Sequence, residues 1–179
     1  MKLFLLKIAM FLRHGYTKVF EYFVLKKAKH TKQEIQDGKA KLKFYQDAIN
    51  SISDYERQLN NLKTLYPWVS DPLRGLIDWT PSLKNLWVFF CKRTSRDCDD
   101  FSALAYYTLK EKVKDYKITE WCVLKNKKIK GSHMIVTARK QGDRTWYIFD
   151  NHNTFTSDKI TAFEFDDRYK CGNLFAKYR

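Results

Sequence analysis

Two strand-like runs around a short turn, SHMIVTAR and RTWYIFDN, constrain the fold more than any other part of the chain. Both runs are rich in β-branched and aromatic residues, and Gly142 lies between them, which is typical of a β-hairpin. With a symmetric turn, counting outward puts His133 directly opposite Asp150, although a bulge would change this count. An aspartate that closes an apolar run is costly to bury without a partner, and this register supplies one. The pattern therefore predicts a hairpin with a histidine–aspartate pair on one face.

The order of the remaining patterns indicates an α+β fold. Apolar residues recur every three or four positions from about Thr31 to Tyr66, which predicts a helical region with one buried stripe. A loop with two prolines follows, and then come a short helix (SLKNLWVFF), a helix after DCDD, and further short strands (ITEWCVL, ITAFEF, NLFAKY). Helices followed by an antiparallel meander are typical of the α+β class. We divide the chain into a helical N-terminal extension, residues 1–66, and a core, residues 67–179.

Cys98 stands among three aspartates in the run RDCDDFSALAYYTL, where the second of these helices begins. Asp97 is a good N-cap residue, and Asp100 can complete a capping box with it. Cys98 then falls in the first helical turn, where backbone N–H groups and the helix dipole stabilise a thiolate and can face an oxyanion. The neighbouring carboxylates oppose a thiolate, so a reactive site here needs a cationic partner. The alternative is a buried cysteine beside an ordinary helix cap, because free cysteines are among the most buried residues.

A cysteine on a helix, followed by a histidine and an aspartate on neighbouring strands, is the arrangement that a thiol acyl-transfer enzyme requires. The thiolate of Cys98 would attack a carbonyl carbon, His133 would carry the proton, and Asp150 would fix the imidazole tautomer. A purely structural His–Asp pair on a sheet is the competing interpretation. Trp79 and Trp87 are candidates either for the cleft around the oxyanion or for the core.

These residues also resemble a known family. RDCDDFSALAYYTL, SHMIVTA and WYIFDN are similar to the transglutaminase-like superfamily, and closest to its bacterial cysteine peptidases. The upstream DWTPSLKNL looks like the tryptophan–proline stretch that precedes the nucleophile in that family. The resemblance covers roughly residues 78–155. It implies a papain/transglutaminase-like core, with the nucleophile helix packed on an antiparallel sheet, and assigns nucleophile, base and orienting acid to Cys98, His133 and Asp150.

The same resemblance bears on cofactors. In calcium-dependent members the acids that flank the nucleophile resemble metal ligands, and the matching positions here are Asp97 and Asp99. Two features depart from the family pattern: Asp99 replaces the usual glutamate, and KRTSR stands where the family has a glycine-rich approach. The resemblance thus implies no required cofactor and leaves calcium as the open alternative.

Charge and the N-terminal segment bear on partners. The formal net charge of +14 fits an acidic partner or substrate, such as nucleic acid, an anionic membrane surface or an acidic protein. Residues 1–30 predict an amphipathic helix that packs on the core of the domain or contacts a partner or a membrane surface. Its apolar run is too short and too charged to span a bilayer and lacks a cleavage site, so we expect a cytoplasmic protein. Cys91 and Cys122 lie in apolar stretches and are expected to be buried thiols, and the absence of a CxxC pair argues against a thiolate zinc site.

Together these patterns predict a small thiol hydrolase or acyltransferase, and a cysteine peptidase that cleaves a peptide or isopeptide bond in a protein or peptide substrate fits them best. Two rivals stay open. One is a non-catalytic basic protein of the same fold that binds nucleic acid, an acidic protein or a membrane surface. The other is a protein-crosslinking transglutaminase. Nucleic acid is not favoured, because the sequence has no phosphate loop and no RNA-binding aromatic motif. The abundance of Lys, Phe, Tyr and Asn suggests a phage or low-GC bacterial source.

Overall fold

The computed structural model describes Leu25 and residues 30–69, 81–91, 96–124, 132–158 and 174–177. Within these residues the helices are α1 (Lys32–Asp47), α2 (Ile52–Leu65), the 3₁₀ helix η1 (Leu83–Phe90) and α3 (Cys98–Lys112). The strands are β1 (Tyr116–Leu124), β2 (Ser132–Lys140), β3 (Trp146–Asp150), β4 (Asn153–Ser157) and β5 (Leu174–Lys177). The chain is therefore of the α+β class, as the sequence predicts.

The described strands form one antiparallel sheet in the order β4-β3-β2-β1-β5. Strands β1 to β4 follow one another as the predicted meander, and β5 pairs with the free side of β1. The sequence does not predict β4, because its residues NTFTS are mostly polar and no glycine or proline separates them from β3. Asn151 instead turns the chain with a positive φ of 52°, a conformation that asparagine tolerates better than most residues.

The β2–β3 hairpin forms, but its register differs by two residues from the symmetric count. Val136 pairs with Phe149, which lies two positions later in β3 than the count from the sequence puts it. The turn closes around Gly142, whose φ is 88°, and the loop then continues to residue 145 before β3 begins. These extra residues lie on the β3 side of the turn, so the turn is asymmetric. The direct pairing of His133 with Asp150 is therefore a wrong prediction.

A shift by two residues keeps every side chain on its predicted face, because side chains alternate with a period of two. His133 and Asp150 still share one face of the sheet, now as diagonal neighbours. Diagonal neighbours on adjacent strands remain within reach of long or aromatic side chains. The asymmetric turn thus changes the pairing and preserves the predicted proximity of the two residues.

The helical region predicted over residues 31–66 is two helices rather than one. A capping box on Thr31 begins α1, and a second N-cap residue, Ser51, begins α2 after a turn. Ile49 in that turn and Ile52 at the start of α2 are both buried. Their spacing continues the apolar pattern of a single helix across the turn. The pattern therefore does not show where the first helix ends and the second begins.

One hydrophobic core joins the helices to the sheet. Helix α3 packs against β1, β2 and β3, and Tyr55 of α2 contacts Phe149 of β3 edge-on, with ring centroids 4.8 Å apart. Helix α1 packs against η1 at Gly38, where a Cβ atom would lie 2.7 Å from the carbonyl oxygen of Trp87. The helices of the proposed extension and the sheet thus bury a common set of side chains. The boundary at residue 66 itself stays a prediction from composition.

Several predictions lie outside the described residues. They are the amphipathic helix over residues 1–30, apart from Leu25 and His30, the strand ITAFEF and Trp79. Leu25 is partly buried against the cluster that contains Trp87. No helix in the described part of the chain is long and apolar enough to cross a bilayer.

Candidate active site

Helix α3 begins as the sequence predicts. Asp97 is its N-cap residue and forms a capping box with Asp100. The Asp97 carboxylate accepts a hydrogen bond from the Asp99 N–H (3.3 Å), and the Asp97 N–H donates to the Asp100 carboxylate (3.2 Å). Cys98 is the first residue of the helix and is a half-buried, unoxidised thiol. Cys91 and Cys122 are buried thiols outside any disulfide, as predicted, so Cys98 is the most accessible of the described cysteines.

A buried arginine holds the segment that leads into α3, and the sequence pattern gave it no role. The guanidinium of Arg96 donates to the carbonyl oxygens of Phe89 (2.7 Å) and Cys91, and it lies over the ring of Tyr66, 5.1 Å from its centroid. The backbone of Arg96 also pairs with Val69 through two hydrogen bonds of 2.9 Å. Each of these contacts fixes the chain two residues before Cys98. An arginine directly before a helix cap is the only sequence signal, and it does not distinguish a buried anchor from a surface charge.

Arg96 also explains how acidic residues are tolerated in the first turn. Asp99 and Asp100 are only 1% and 4% exposed, and a buried carboxylate needs charge or hydrogen-bond partners. Burial lowers the pKa of Arg96, and the negative charge of Asp100 opposes that shift. The guanidinium and the Asp100 carboxylate therefore stabilise each other at the entrance to the helix.

His133 and Asp150 form the predicted side-chain pair. His133 Nε2 lies 2.5 Å from Asp150 Oδ1, and the two side chains are only 13% and 18% exposed. His133 stands near the start of β2 and Asp150 at the end of β3, and these strand ends are adjacent because β2 and β3 are antiparallel. A short hydrogen bond to a half-buried carboxylate holds the imidazole in one orientation.

Chain connectivity brings the start of α3 to this same end of the sheet. Only residues 113–115 separate α3 from β1, so the helix runs antiparallel to β1. Its N-terminus must then lie near the end of β1, which is the end where β2 begins and β3 ends.

Two contacts fix the first turns of α3 against the sheet. The ring of Phe101 meets the ring of His152, in the turn after Asp150, with centroids 4.3 Å apart. The hydroxyl of Ser102 donates to the carboxylate of Glu120 on β1 at 2.5 Å. Phe101 and Ser102 lie three and four positions after Cys98, so all three share one side of the helix. The side of α3 that carries the thiol therefore faces the sheet between β1 and the β3–β4 turn, where β2 begins.

Glu120 is a second residue that the sequence pattern did not single out. Its side chain is fully buried, although it lies in the middle of the strand ITEWCVL. A buried carboxylate is destabilising unless it is hydrogen bonded, and the bond from Ser102 supplies one partner. A single acidic residue within an apolar strand predicts that its side chain has a specific partner. The sequence does not identify which residue that partner is.

His152 lies in the two-residue turn between β3 and β4. A hydrogen bond joins its ring to the backbone of Tyr66, and burial lowers its pKa below the usual value of 6.5. Its Nε2 and the neighbouring Asn151 Oδ1 are both buried without a hydrogen bond in the described part of the chain. His152 therefore has a fixed location in the turn after β3, and no carboxylate contacts its ring within the described part of the chain.

This environment predicts a pH dependence of stability. The folded chain disfavours protonated His152, whereas the unfolded chain takes up the proton at the usual pKa, so the unfolded state binds more protons below about pH 6.5. The free energy of unfolding should therefore fall as the pH drops from about 7.5 to about 5, and His152→Gln should reduce that fall. Urea unfolding of both proteins at the two pH values measures it, with His30→Gln as the matched control. An identical pH dependence in wild type and His152→Gln would contradict the assignment.

Trp87 does not line this site. It is buried in a cluster with Val88 and Cys91, and its ring packs edge-on against His30 at 5.3 Å. These contacts favour the interpretation of Trp87 as a core residue over its interpretation as part of the cleft.

The proposed calcium ligands lie together but form a poor calcium site. One ligand atom from each of Asp97, Cys98 and Asp99 lies within 4.8 Å of the others. Calcium takes six to eight oxygen ligands, whereas this group offers two carboxylates and a sulfur, and the Asp97 carboxylate already accepts helix N–H groups. The donor set therefore does not fit calcium.

Comparisons with known proteins add no relative. No protein-family model matches the chain, no curated protein matches it, and no solved structure matches its fold. The function of the site must therefore be inferred from its geometry and from the short sequence motifs around Cys98, His133 and Asp150.

Proposed function

We propose that the protein is a thiol-dependent hydrolase or acyltransferase built on a transglutaminase-like core, and that it acts on peptide or isopeptide bonds through Cys98, His133 and Asp150. The observation that carries this proposal is the 2.5 Å bond between His133 and Asp150 at the sheet end toward which α3 begins. A structural pair could form anywhere on the sheet. This one lies at the end to which the α3–β1 connection brings the first turn of the cysteine-bearing helix.

The chemistry follows from the roles of these groups. Asp150 bonds Nε2 of His133, so the proton from the Cys98 thiol would pass to Nδ1. The thiolate sulfur would then attack the carbonyl carbon of the substrate, and the imidazolium would give its proton to the departing amine, which leaves a thioester on Cys98. Water or a second amine would attack the thioester and regenerate the thiol. The Asp97 carboxylate accepts the backbone N–H groups of Asp99 and Asp100, so the first-turn group that would face the oxyanion in both steps is the backbone N–H of Cys98.

The site would be formed at the end of the sheet rather than across one face. Helix α3 packs on the face that carries Val136 and Phe149, because these residues share a core cluster with the helix. His133 and Asp150 alternate onto the other face and stand at the ends of their strands. In this proposal the thiol in the first turn of α3 would reach the imidazole around the strand ends.

Product analysis tests the proposal and separates hydrolysis from transamidation. The protein is incubated with casein, with and without a fluorescent primary amine, and the products are analysed by mass spectrometry. We expect backbone cleavage or glutamine deamidation with water alone, and incorporation of the amine when it is present if acyl transfer competes. Cys98→Ala should give neither product, whereas Cys122→Ala should behave as wild type. Products of equal yield from wild type and Cys98→Ala would contradict a thiol mechanism.

A further inference from the structure

A large apolar pocket lies between α1 and α2, and the proposed reaction does not use it. It has a volume of about 760 Å³. Both helices and η1 contribute to its lining, which includes Phe44, Tyr45, Leu65 and Phe90. A volume of this size is typical of sites that bind small molecules.

The floor of the pocket is aromatic. Phe90 contacts Tyr66 at 5.3 Å and Tyr45 at 5.8 Å between ring centroids. At the mouth, Phe44 and Leu65 are 79% and 69% exposed, the two highest values among the large apolar side chains of the described residues. Two exposed apolar side chains beside an apolar cavity form a continuous patch, and such patches mark binding sites more often than isolated surface residues do.

Polar groups of the lining indicate the charge of an occupant. Among the described residues of the lining, Lys41 is the only charged one, and Gln58 and Asn61 of α2 are uncharged. Tyr45 adds no negative charge to the lining, because burial and the neighbouring Tyr55 raise the pKa of its hydroxyl.

We propose that this pocket binds an anionic amphiphile, that is, a small molecule with an apolar body and one negatively charged group. The aromatic floor would hold the apolar body, and Lys41 would pair with the negative group at the rim. A cationic ligand is disfavoured both by Lys41 and by the net charge of +14. The proposal is independent of the thiol chemistry, because Cys98 does not line the pocket.

Fluorescence titration with anilinonaphthalene sulfonate, followed by displacement with dodecanoate, tests the proposal. Lys41→Glu should weaken both ligands by about tenfold, equivalent to 1.4 kcal/mol. Lys39→Glu, an exposed change on the same helix outside the pocket, makes the same change in net charge and should weaken them much less. Phe44→Ala should also weaken binding, whereas Leu83→Ala, another exposed apolar residue away from the pocket, should not. All four positions are exposed or at the rim, so the variants are expected to fold.

Three outcomes would overturn the proposal. The first is an equal effect of Lys41→Glu and Lys39→Glu, which would indicate non-specific attraction to a basic surface. The second is failure of dodecanoate to displace the probe. The third is a dimer in sedimentation experiments that Phe44→Ala dissociates, since the patch would then be a contact between two copies of the chain. Binding should be unchanged in Cys98→Ala, so a failure of the proposed enzymatic function would leave this test intact.

Discussion

Replacing Cys98 by alanine is expected to abolish both turnover and rapid labelling by a thiol-reactive probe. Removal of a catalytic nucleophile typically lowers kcat by about four to six orders of magnitude. Cys98 is half-buried at a helix N-terminus, where the N–H groups favour a thiolate, whereas Cys91 and Cys122 are buried. Among the described cysteines of the wild type, peptide mapping should therefore show fast alkylation by iodoacetamide at Cys98 and slow alkylation at Cys91 and Cys122.

Cys122→Ala is the matched control for this prediction, because it removes a buried thiol from β1. It should keep both the fast alkylation and the activity, with thermal unfolding used to confirm that each variant is folded. Equal alkylation rates of wild type and Cys98→Ala would mean that Cys98 is an ordinary helix-cap cysteine. That result would also remove the reason to consider the His133–Asp150 pair catalytic.

The features of the site that the sequence predicts correctly are local ones. The capping box of Asp97 and Asp100 spans four residues and depends only on side-chain chemistry next to a helix start. The proximity of His133 and Asp150 is also predictable, although for a reason less specific than the register. Any even shift of the hairpin keeps the two on one face, so the prediction tolerates an error of two residues.

The features that the sequence does not predict depend on contacts between distant segments. Arg96 anchors the approach to α3 through carbonyl groups of η1, and nothing in the spacing of KRTSR identifies those acceptors. Glu120 is buried because Ser102 of α3 lies above it, 18 positions away in the chain. Residues that position a site through tertiary contacts carry no periodic signal, and a single sequence cannot reveal them.

Asp150→Asn is expected to lower activity by about two to four orders of magnitude while leaving the fold intact. The amide has nearly the same shape as the carboxylate and can still bond His133, but it can donate its own N–H to Nε2. That bond would favour the tautomer with the proton on Nδ1, which cannot accept a proton from the thiol. Asp143→Asn, the same change on an exposed loop residue of the same β2–β3 hairpin, should retain wild-type activity.

Comparison with two further variants separates the role of the tautomer from simple loss of packing. Asp150→Ala removes both the bond and the shape, and His133→Ala removes the base. If the carboxylate acts by fixing the tautomer, Asp150→Asn should be nearly as inactive as Asp150→Ala, and unfolding in urea should show it to be the more stable of the two. Full activity in Asp150→Asn would limit Asp150 to a structural role. Wild-type activity in His133→Ala would make His152 the candidate for the base. Its imidazole is also held at this end of the sheet, and its ring contacts Phe101 one turn from Cys98.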